Sequence, residues 1–178
     1  MIIQPIYMAA AVSGITLIAI IMKRLTSQHS DHEFIDIPQP TAKKNTLSLP
    51  ELVTIYLIPE QPINGHELLK FFLSHRLQYN DYQIFDLPGP QHNQFSIATL
   101  SAPGTFDLNT MSEETFSGLS FFLQPRQSDT PLEDFDTLCR ILFDAKDTFS
   151  GTLQSTNKTE ITLEALRDLR EKIHHEAT

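Results

Sequence analysis

The stretch GLSFFLQ at residues 118–124 decides the fold class. It is rich in aliphatic and aromatic side chains and is ended by Pro125, a pattern typical of a β-strand. Successive side chains of a strand point to opposite faces of a sheet, so Phe121 and Phe122 cannot share a face. One face then carries Leu119, Phe121 and Leu123, and the other carries Ser120, Phe122 and Gln124. The stretch therefore predicts a sheet with apolar side chains on both of its faces.

Five further stretches are interpreted as strands of the same sheet. Three of them are rich in β-branched and aromatic residues and are ended by Pro or Pro-Gly turns. These are LVTIYLI (52–58), YQIFDL (82–87) and FSIATL (95–100). Two short polar segments, 151–155 and 158–161, are expected at the edges of the sheet. Tight turns between consecutive strands favour antiparallel pairing.

Capping residues and apolar spacing predict three helices. Asn64, Thr130 and Thr162 each precede an i, i+3/i+4 stripe, and Pro131 and Glu133 strengthen the second start. The side chains expected to face inward are Leu68, Leu69, Phe72, Leu73 and Leu77, then Phe135, Leu138, Cys139, Leu142, Ala145 and Phe149, then Leu163, Leu166, Leu169 and Ile173. The predicted fold class is α+β, with a single N-terminal transmembrane helix followed by a six-stranded, mainly antiparallel sheet and three helices packed on one face.

The sheet face opposite the helices is expected to expose apolar side chains. The alternation selects, among others, Leu52, Thr54, Tyr82, Ile84, Ala98, Leu100, Ser120 and Phe122 for this face. An exposed patch of this kind on a monomer usually marks a site for a binding partner. The alternative is that more of the chain covers this second face.

An uncharged apolar run lies near the start of the chain. Counted from Ile2 to Met22 it spans about 31 Å as a helix, which is enough to cross the hydrocarbon core of a bilayer. Lys23 and Arg24 follow the run and no basic residue precedes it, so the positive-inside rule places the rest of the chain in the cytoplasm. We expect residues 1–24 to form a transmembrane anchor. A cleaved signal peptide is the alternative, although it would carry its basic residues before the apolar run.

A polar segment follows the predicted anchor. Residues 25–49 show no helical or strand periodicity, and Pro38 and Pro40 interrupt them. We expect a flexible linker over residues 25–49 and one globular domain over residues 50–178. His29 and His32 have no third metal ligand near them in the sequence and are interpreted as linker residues.

Charge and missing motifs exclude several classes of function. The first fifty residues hold four Lys and Arg and three Asp and Glu, so nine of the 13 basic and 19 of the 22 acidic residues follow them, a net charge of −10. Such an acidic domain binds nucleic acid poorly. Since nucleotide, metal and nucleophile motifs are missing, we expect no enzyme activity, catalytic residue, cofactor, metal site or small-molecule substrate. Cys139 is interpreted as a core residue of the second helix.

Several stretches are similar to one protein family. They are NGHELL (64–69), DYQIF (81–85), FSIATL (95–100) leading into PGTFD (103–107), GLSFFLQP (118–125), LEDFDTLCRILFDA (132–145) and TLEALRDLRE (162–171). On these motifs, and on the order of anchor, linker and domain, the chain resembles the C-terminal, FtsZ-binding domains of the bacterial ZipA cell division proteins over about residues 52–173.

The resemblance implies a shallow apolar groove on the sheet face opposite the helices, where the C-terminal tail of FtsZ binds as a short peptide. Carried onto this sequence, its residues are Leu52, Thr54, Tyr82, Ile84, Ala98, Leu100, Ser120 and Phe122, on the face that the alternation also selects. The resemblance further implies a single-pass protein of the bacterial inner membrane, with a cytoplasmic domain, that stabilises the Z ring. An adaptor for another cytoplasmic peptide and an envelope structural protein are the alternatives.

The family often has a basic residue just after the third predicted strand, where this chain has Ala102. The resemblance therefore implies weaker attraction to an acidic tail here, and an affinity that rests mostly on apolar burial.

Overall fold

A computed structural model describes residues 50–176 of the chain. The predicted anchor at residues 1–24 and the predicted linker at residues 25–49 lie outside the described residues, as do residues 177–178. Within the described range, no helix is both long enough and apolar enough to cross a membrane.

The described residues form a six-stranded antiparallel sheet, whose strands lie side by side in the order Gln78–Tyr79, Phe85–Pro88, Asn93–Thr99, Leu119–Leu123, Val53–Pro59 and Gly151–Gln154. Its strands are β1 (Val53–Pro59), β3 (Gln78–Tyr79), β4 (Phe85–Pro88), β5 (Asn93–Thr99), β7 (Leu119–Leu123) and β8 (Gly151–Gln154). Two short strands, β2 (Ile63–Asn64) and β6 (Thr115–Phe116), pair separately. The long strands β1, β5 and β7 are therefore neighbours at the centre of the main sheet.

Three helices complete the fold, α1 (Gly65–Ser74), α2 (Pro131–Thr148) and α3 (Leu163–Glu176). The predicted cap of α1 is confirmed, because the Asn64 side chain accepts hydrogen bonds from the backbone N–H groups of His66 and Glu67. Thr130 precedes α2 as predicted but makes no side-chain capping bond. Pro131 begins that helix, where its missing N–H costs nothing.

One main core holds the described residues together. The buried apolar side chains of all three helices pack into it, together with one face of the sheet. Phe72 of α1 lies with its ring centroid 4.3 Å from that of Phe85 and 5.5 Å from that of Phe106. Helix α2 contacts β1, β5, β7 and β8. The three helices thus cover one face of the sheet, as predicted, and residues 50–176 contain a core of their own.

The structure differs from the sequence-based prediction at the ends of the sheet. Strand β3 was not predicted, and segment 158–161 forms only an isolated bridge between Gln154 and Glu160. The second predicted strand begins at Phe85 rather than at Tyr82, because residues 81–84 form a turn. A two-residue strand is too short to show alternation, and the turn at 81–84 depends on hydrogen bonds to the Asn80 side chain, which strand periodicity does not report.

Two leucines predicted to face the core are exposed instead. Leu73 and Leu163 are 64% and 61% exposed, whereas Phe71, which the predicted stripe omitted, is buried. When the apolar stripe of a helix is wider than the area that neighbouring elements cover, the side chains at the edge of the stripe stay exposed to water. The spacing of apolar residues does not show where that edge lies.

Adjacent residues of α1 provide a test of this burial. Replacing Phe72, which is fully buried, by Ala should lower the free energy of unfolding by about 3–5 kcal/mol, since a large cavity is left behind. Leu73→Ala should change it by less than about 0.5 kcal/mol. Urea unfolding of residues 50–178 followed by circular dichroism measures both values. Equal losses for the two variants would contradict the packing described here.

Candidate functional site

The register of the central strands assembles the face of the sheet opposite the helices. Phe122 of β7 pairs with Thr54 of β1 on one side and with Ser96 of β5 on the other. Ser120 pairs in the same way with Tyr56 and with Ala98. Because directly paired residues point to the same face, these six side chains share it. We call this the second face and include Asp86, which pairs with Ser96, and Leu52 and Ile84, which pack with Phe122.

A small apolar cluster lies on the second face, separate from the main core. It consists of Ile84, Ala98 and Phe122, with Leu52 packed against it. The register of β1 places Thr54 beside Phe122, so the first-strand residues chosen from the sequence lie on the same face as the others. Four of the eight predicted site residues, Thr54, Ala98, Ser120 and Phe122, thus lie in the adjoining strands β1, β5 and β7. Leu52 directly precedes β1 and Leu100 directly follows β5, whereas Tyr82 and Ile84 lie in the turn before β4.

The expectation that these side chains form an exposed patch is wrong for half of them. Ile84, Ala98 and Phe122 are only 3%, 3% and 8% exposed, and Ser120 is fully buried. Leu52, Thr54 and Leu100 are half-buried, and Tyr82 is 48% exposed. Large side chains on adjoining strands pack over the small residues between them, and this removes part of each surface from water. The open part of the face is therefore its margin rather than its centre.

A cavity of about 230 Å³ opens beside the cluster. Its apolar lining consists of Tyr82, Ile84, Phe95, Phe122 and Leu123. Its polar side is formed by Asn80, Asp86, His92, Asn93, Gln94, Ser96, Gln124 and Gln127. A pocket with one apolar and one polar side suits an amphipathic side chain of a bound peptide.

Asp86 is a residue of this cavity that sequence reasoning missed. It lies in β4 on the second face, is 6% exposed, and accepts hydrogen bonds from three side chains. Asn80 Nδ2 and Asn93 Nδ2 each donate to its Oδ2 at 2.7 Å, and Ser96 Oγ donates to its Oδ1 at 2.6 Å. The available signal was an acidic residue between Phe85 and Leu87, which the alternation places on the same face as Tyr82 and Ile84.

A second buried carboxylate, Asp134, lies behind the cavity at the start of α2. His92 Nε2 lies 2.7 Å from Asp134 Oδ2, and Ser128 Oγ donates to the same oxygen. The structure thus brings together a Ser, a His and an Asp that the sequence does not group. Ser128 donates to the carboxylate and not to the His92 imidazole. A serine nucleophile is activated by a hydrogen bond from its hydroxyl to an imidazole, and that bond is missing between these two residues. The arrangement joins the loop at His92 to the start of α2.

Cys139 packs against the main core. Burial, with a smaller contribution from the nearby Asp136 carboxylate, raises the pKa of the Cys139 thiol to about 12. The thiol is therefore protonated at neutral pH and is a weak nucleophile. Among residues 50–176, no group of three or more His, Cys, Asp and Glu side chains is placed to hold a metal ion.

The fold and the second face define the class of this protein. It is an α+β domain with three helices on one face of an antiparallel sheet and a mixed apolar and polar site on the other. Residues 51–172 match the family described as ZipA, C-terminal FtsZ-binding domain. The chain belongs to this family, which confirms the resemblance inferred from its motifs.

Known relatives of the chain are cell division proteins named ZipA. The chain is 28% identical to that of Shewanella sediminis over 130 residues, which cover 68% of this chain and 38% of the relative. It is 26% identical to that of Stutzerimonas stutzeri over 141 residues, which cover 76% of this chain and 52% of the relative. It is 30% identical to that of Shewanella baltica over 104 residues, which cover 54% of this chain and 28% of the relative. The chain thus spans about half the length of these relatives or less.

The raised pKa of Cys139 leads to a prediction about its reactivity. At pH 8 the fraction of thiolate should be roughly a thousandfold lower in the folded domain than in the unfolded chain, where a Cys pKa is about 8.5. Alkylation by iodoacetamide, followed by mass spectrometry, should therefore be slower in buffer than in 8 M urea by about that factor. Similar rates in the two conditions would contradict the burial of this thiol.

Proposed function

We propose that this chain is a membrane-anchored adaptor that binds the C-terminal tail of FtsZ on the second face and stabilises the Z ring at the inner membrane during cell division. The observation that carries the proposal is the match of residues 51–172 to a family of FtsZ-binding domains. The second face supports the proposal, because its apolar cluster is separate from the main core into which the helices pack.

The proposed binding residues are Leu52, Thr54, Tyr82, Ile84, Ala98, Leu100, Ser120 and Phe122. In this proposal the half-buried and exposed members at the margin, such as Tyr82 and Leu100, make the first contacts with the peptide. Phe122 and Ile84 provide the apolar floor. Affinity then comes mostly from apolar burial, at about 25 cal/mol per Å² before the cost of ordering the peptide.

Residues 1–24 are proposed as the anchor and residues 25–49 as the tether. A linker of that length reaches at most about 85 Å when fully extended. As a flexible coil its ends would lie nearer about 30 Å apart. The binding domain would then remain close to the cytoplasmic surface of the membrane, and an FtsZ filament bound to it would be held at that surface.

The FtsZ tail provides the direct test. A synthetic peptide of this tail should bind residues 50–178 saturably in isothermal titration calorimetry. Phe122→Ala should weaken binding by at least about tenfold, which corresponds to about 1.4 kcal/mol, because the floor of the site is lost.

Phe143→Ala is the matched control, since Phe143 is a partly buried phenylalanine of α2 that packs against the main core. It should reduce stability without changing the affinity of the folded domain. Thermal unfolding of both variants identifies the folded fraction. No saturable binding by the unmodified domain, or equal affinities for it and Phe122→Ala, would contradict the proposed site. Capture of a different cytoplasmic peptide by the same face would favour the alternative adaptor role.

The orientation of the chain in the membrane can be tested separately. Alkaline phosphatase fused after Thr178 should be inactive in cells, because it is active only in the periplasm, and a fluorescent protein at the same position should be bright. Active phosphatase would place the domain in the periplasm and exclude contact with FtsZ.

A further inference from the structure

Asp86 has an unusual environment for a strand residue on a partly apolar face. It is 6% exposed, and its partners Asn80, Asn93 and Ser96 are all neutral. Removing a carboxylate from water is costly unless hydrogen bonds replace its hydration. The three hydrogen bonds offset that cost and join the segment before β4 to strand β5.

Asn80 connects this carboxylate to the wall of the site. Its Nδ2 donates to Asp86, while its Oδ1 accepts from the backbone N–H of Tyr82 at 2.8 Å and of Ile84 at 3.3 Å. A primary amide has donors on one side and acceptors on the other. If the Asn80 amide were rotated by half a turn, its NH₂ group would face two N–H donors. The bond to Asp86 therefore selects the orientation that holds the turn.

The turn that Asn80 holds has a specific backbone shape. Gln83 has a φ of 61°, in the left-handed region, and its N–H donates to the Asn80 carbonyl at 3.0 Å. On the other side of the turn, the N–H of Phe106 donates to the Gln83 carbonyl at 2.8 Å. Left-handed backbone is unfavourable for a residue with a side chain, so these contacts are needed to maintain it. Among the contacts of this turn, the hydrogen bonds of the Asn80 side chain are the ones that depend on Asp86, a residue of the second face.

We propose that Asp86 is a positioning residue of the second face. Through the Asn80 amide it sets Tyr82 and Ile84 in place at the wall of the cavity before a peptide binds. This inference rests on the proposed function, because it assigns Asp86 a role in peptide affinity. A wall that is already ordered lowers the entropic cost of binding. Asp86 acts through Asn80, and its charge is not needed for peptide binding.

A direct electrostatic role for Asp86 makes a different prediction, and two variants separate the two roles. Asp86→Asn keeps an oxygen for Asn80 and Asn93 and can donate to Ser96, whose hydroxyl can accept. It should therefore bind the FtsZ tail peptide within about twofold of the unmodified domain, since the geometry is kept and only the charge is lost. Asp86→Ala removes the acceptor, and it should weaken binding by about tenfold. Equal losses for both variants would overturn the positioning role.

Asn80→Ala removes the connecting amide without changing Asp86. It should reproduce the tenfold loss, and it keeps the test possible if Asp86→Ala does not fold. In a double-mutant cycle with Tyr82→Ala, the effect of Asp86→Ala should shrink to about twofold, because the side chain that it positions is already missing. Strictly additive effects would contradict the inference.

Asp136→Ala is a matched control for a general loss of stability. Asp136 accepts two hydrogen bonds from Arg170, at 2.7 and 2.8 Å, on the helix side of the domain. Its removal should leave peptide affinity unchanged.

Hydrogen exchange separates a failure of this inference from a failure of the proposed function. In the free domain, the amides of Tyr82 and Ile84 should exchange at least about tenfold faster in Asp86→Ala than in Asp86→Asn, since Asn80 no longer holds them. This measurement needs no ligand. If the unmodified domain does not bind the FtsZ peptide, the proposed function fails and exchange still decides the role of Asp86. Unchanged exchange at these two amides would overturn the inference.

Discussion

The pairing of β7 between β1 and β5 is the constraint on which both faces of the sheet depend. In this register Phe121 lies between Ile55 and Ile97, and Phe122 lies between Thr54 and Ser96. The first set is buried in the main core, and the second lies on the second face, where Phe122 belongs to the separate apolar cluster. A slip of one residue would exchange the two faces and place Ser120 and Phe122 against the helices. Packing of the helices on Phe121 therefore also secures the position of Phe122.

Polar groups organise the margin of the second face. Asp86 bonds to both sides of its own hairpin, and Asp134 joins the His92 loop to the start of α2. Both carboxylates are buried, and their hydrogen-bond partners lie between 6 and 42 residues away in sequence. Both oxygens of Asp86 are hydrogen-bonded, and such a buried polar group specifies one arrangement, because any other arrangement leaves a donor or acceptor unpaired. The site thus combines an apolar floor with a wall that hydrogen bonds hold in place.

Sequence periodicity predicted the central strands well and the margins poorly. The stretches at 52–58, 95–100 and 118–124 form β1, β5 and β7, since each buries one face and its alternation is strong. The turn at Tyr82 was not predicted, because its shape depends on the Asn80 side chain and on Asp86 beyond it. The exposure of Leu73 was not predicted either, since helix spacing does not show how wide the covering surface is. The eight candidate site residues were chosen by strand alternation and by family resemblance. Both indicate the face to which a side chain points, and neither indicates how exposed that side chain is.

The sequence by itself determined the fold class, the three helices on one face, the residues that point away from them and membership of the family. The first three follow from strand and helix periodicity, and membership of the family follows from its sequence motifs; both are local properties of the chain. Only the tertiary structure decided that Ile84, Ala98 and Phe122 pack into a separate cluster and that Ser120 is enclosed between neighbouring strands. Only it decided that Asp86 binds the turn carrying Tyr82. Burial and side-chain hydrogen bonds depend on distances between strands, and those distances are set when the sheet forms.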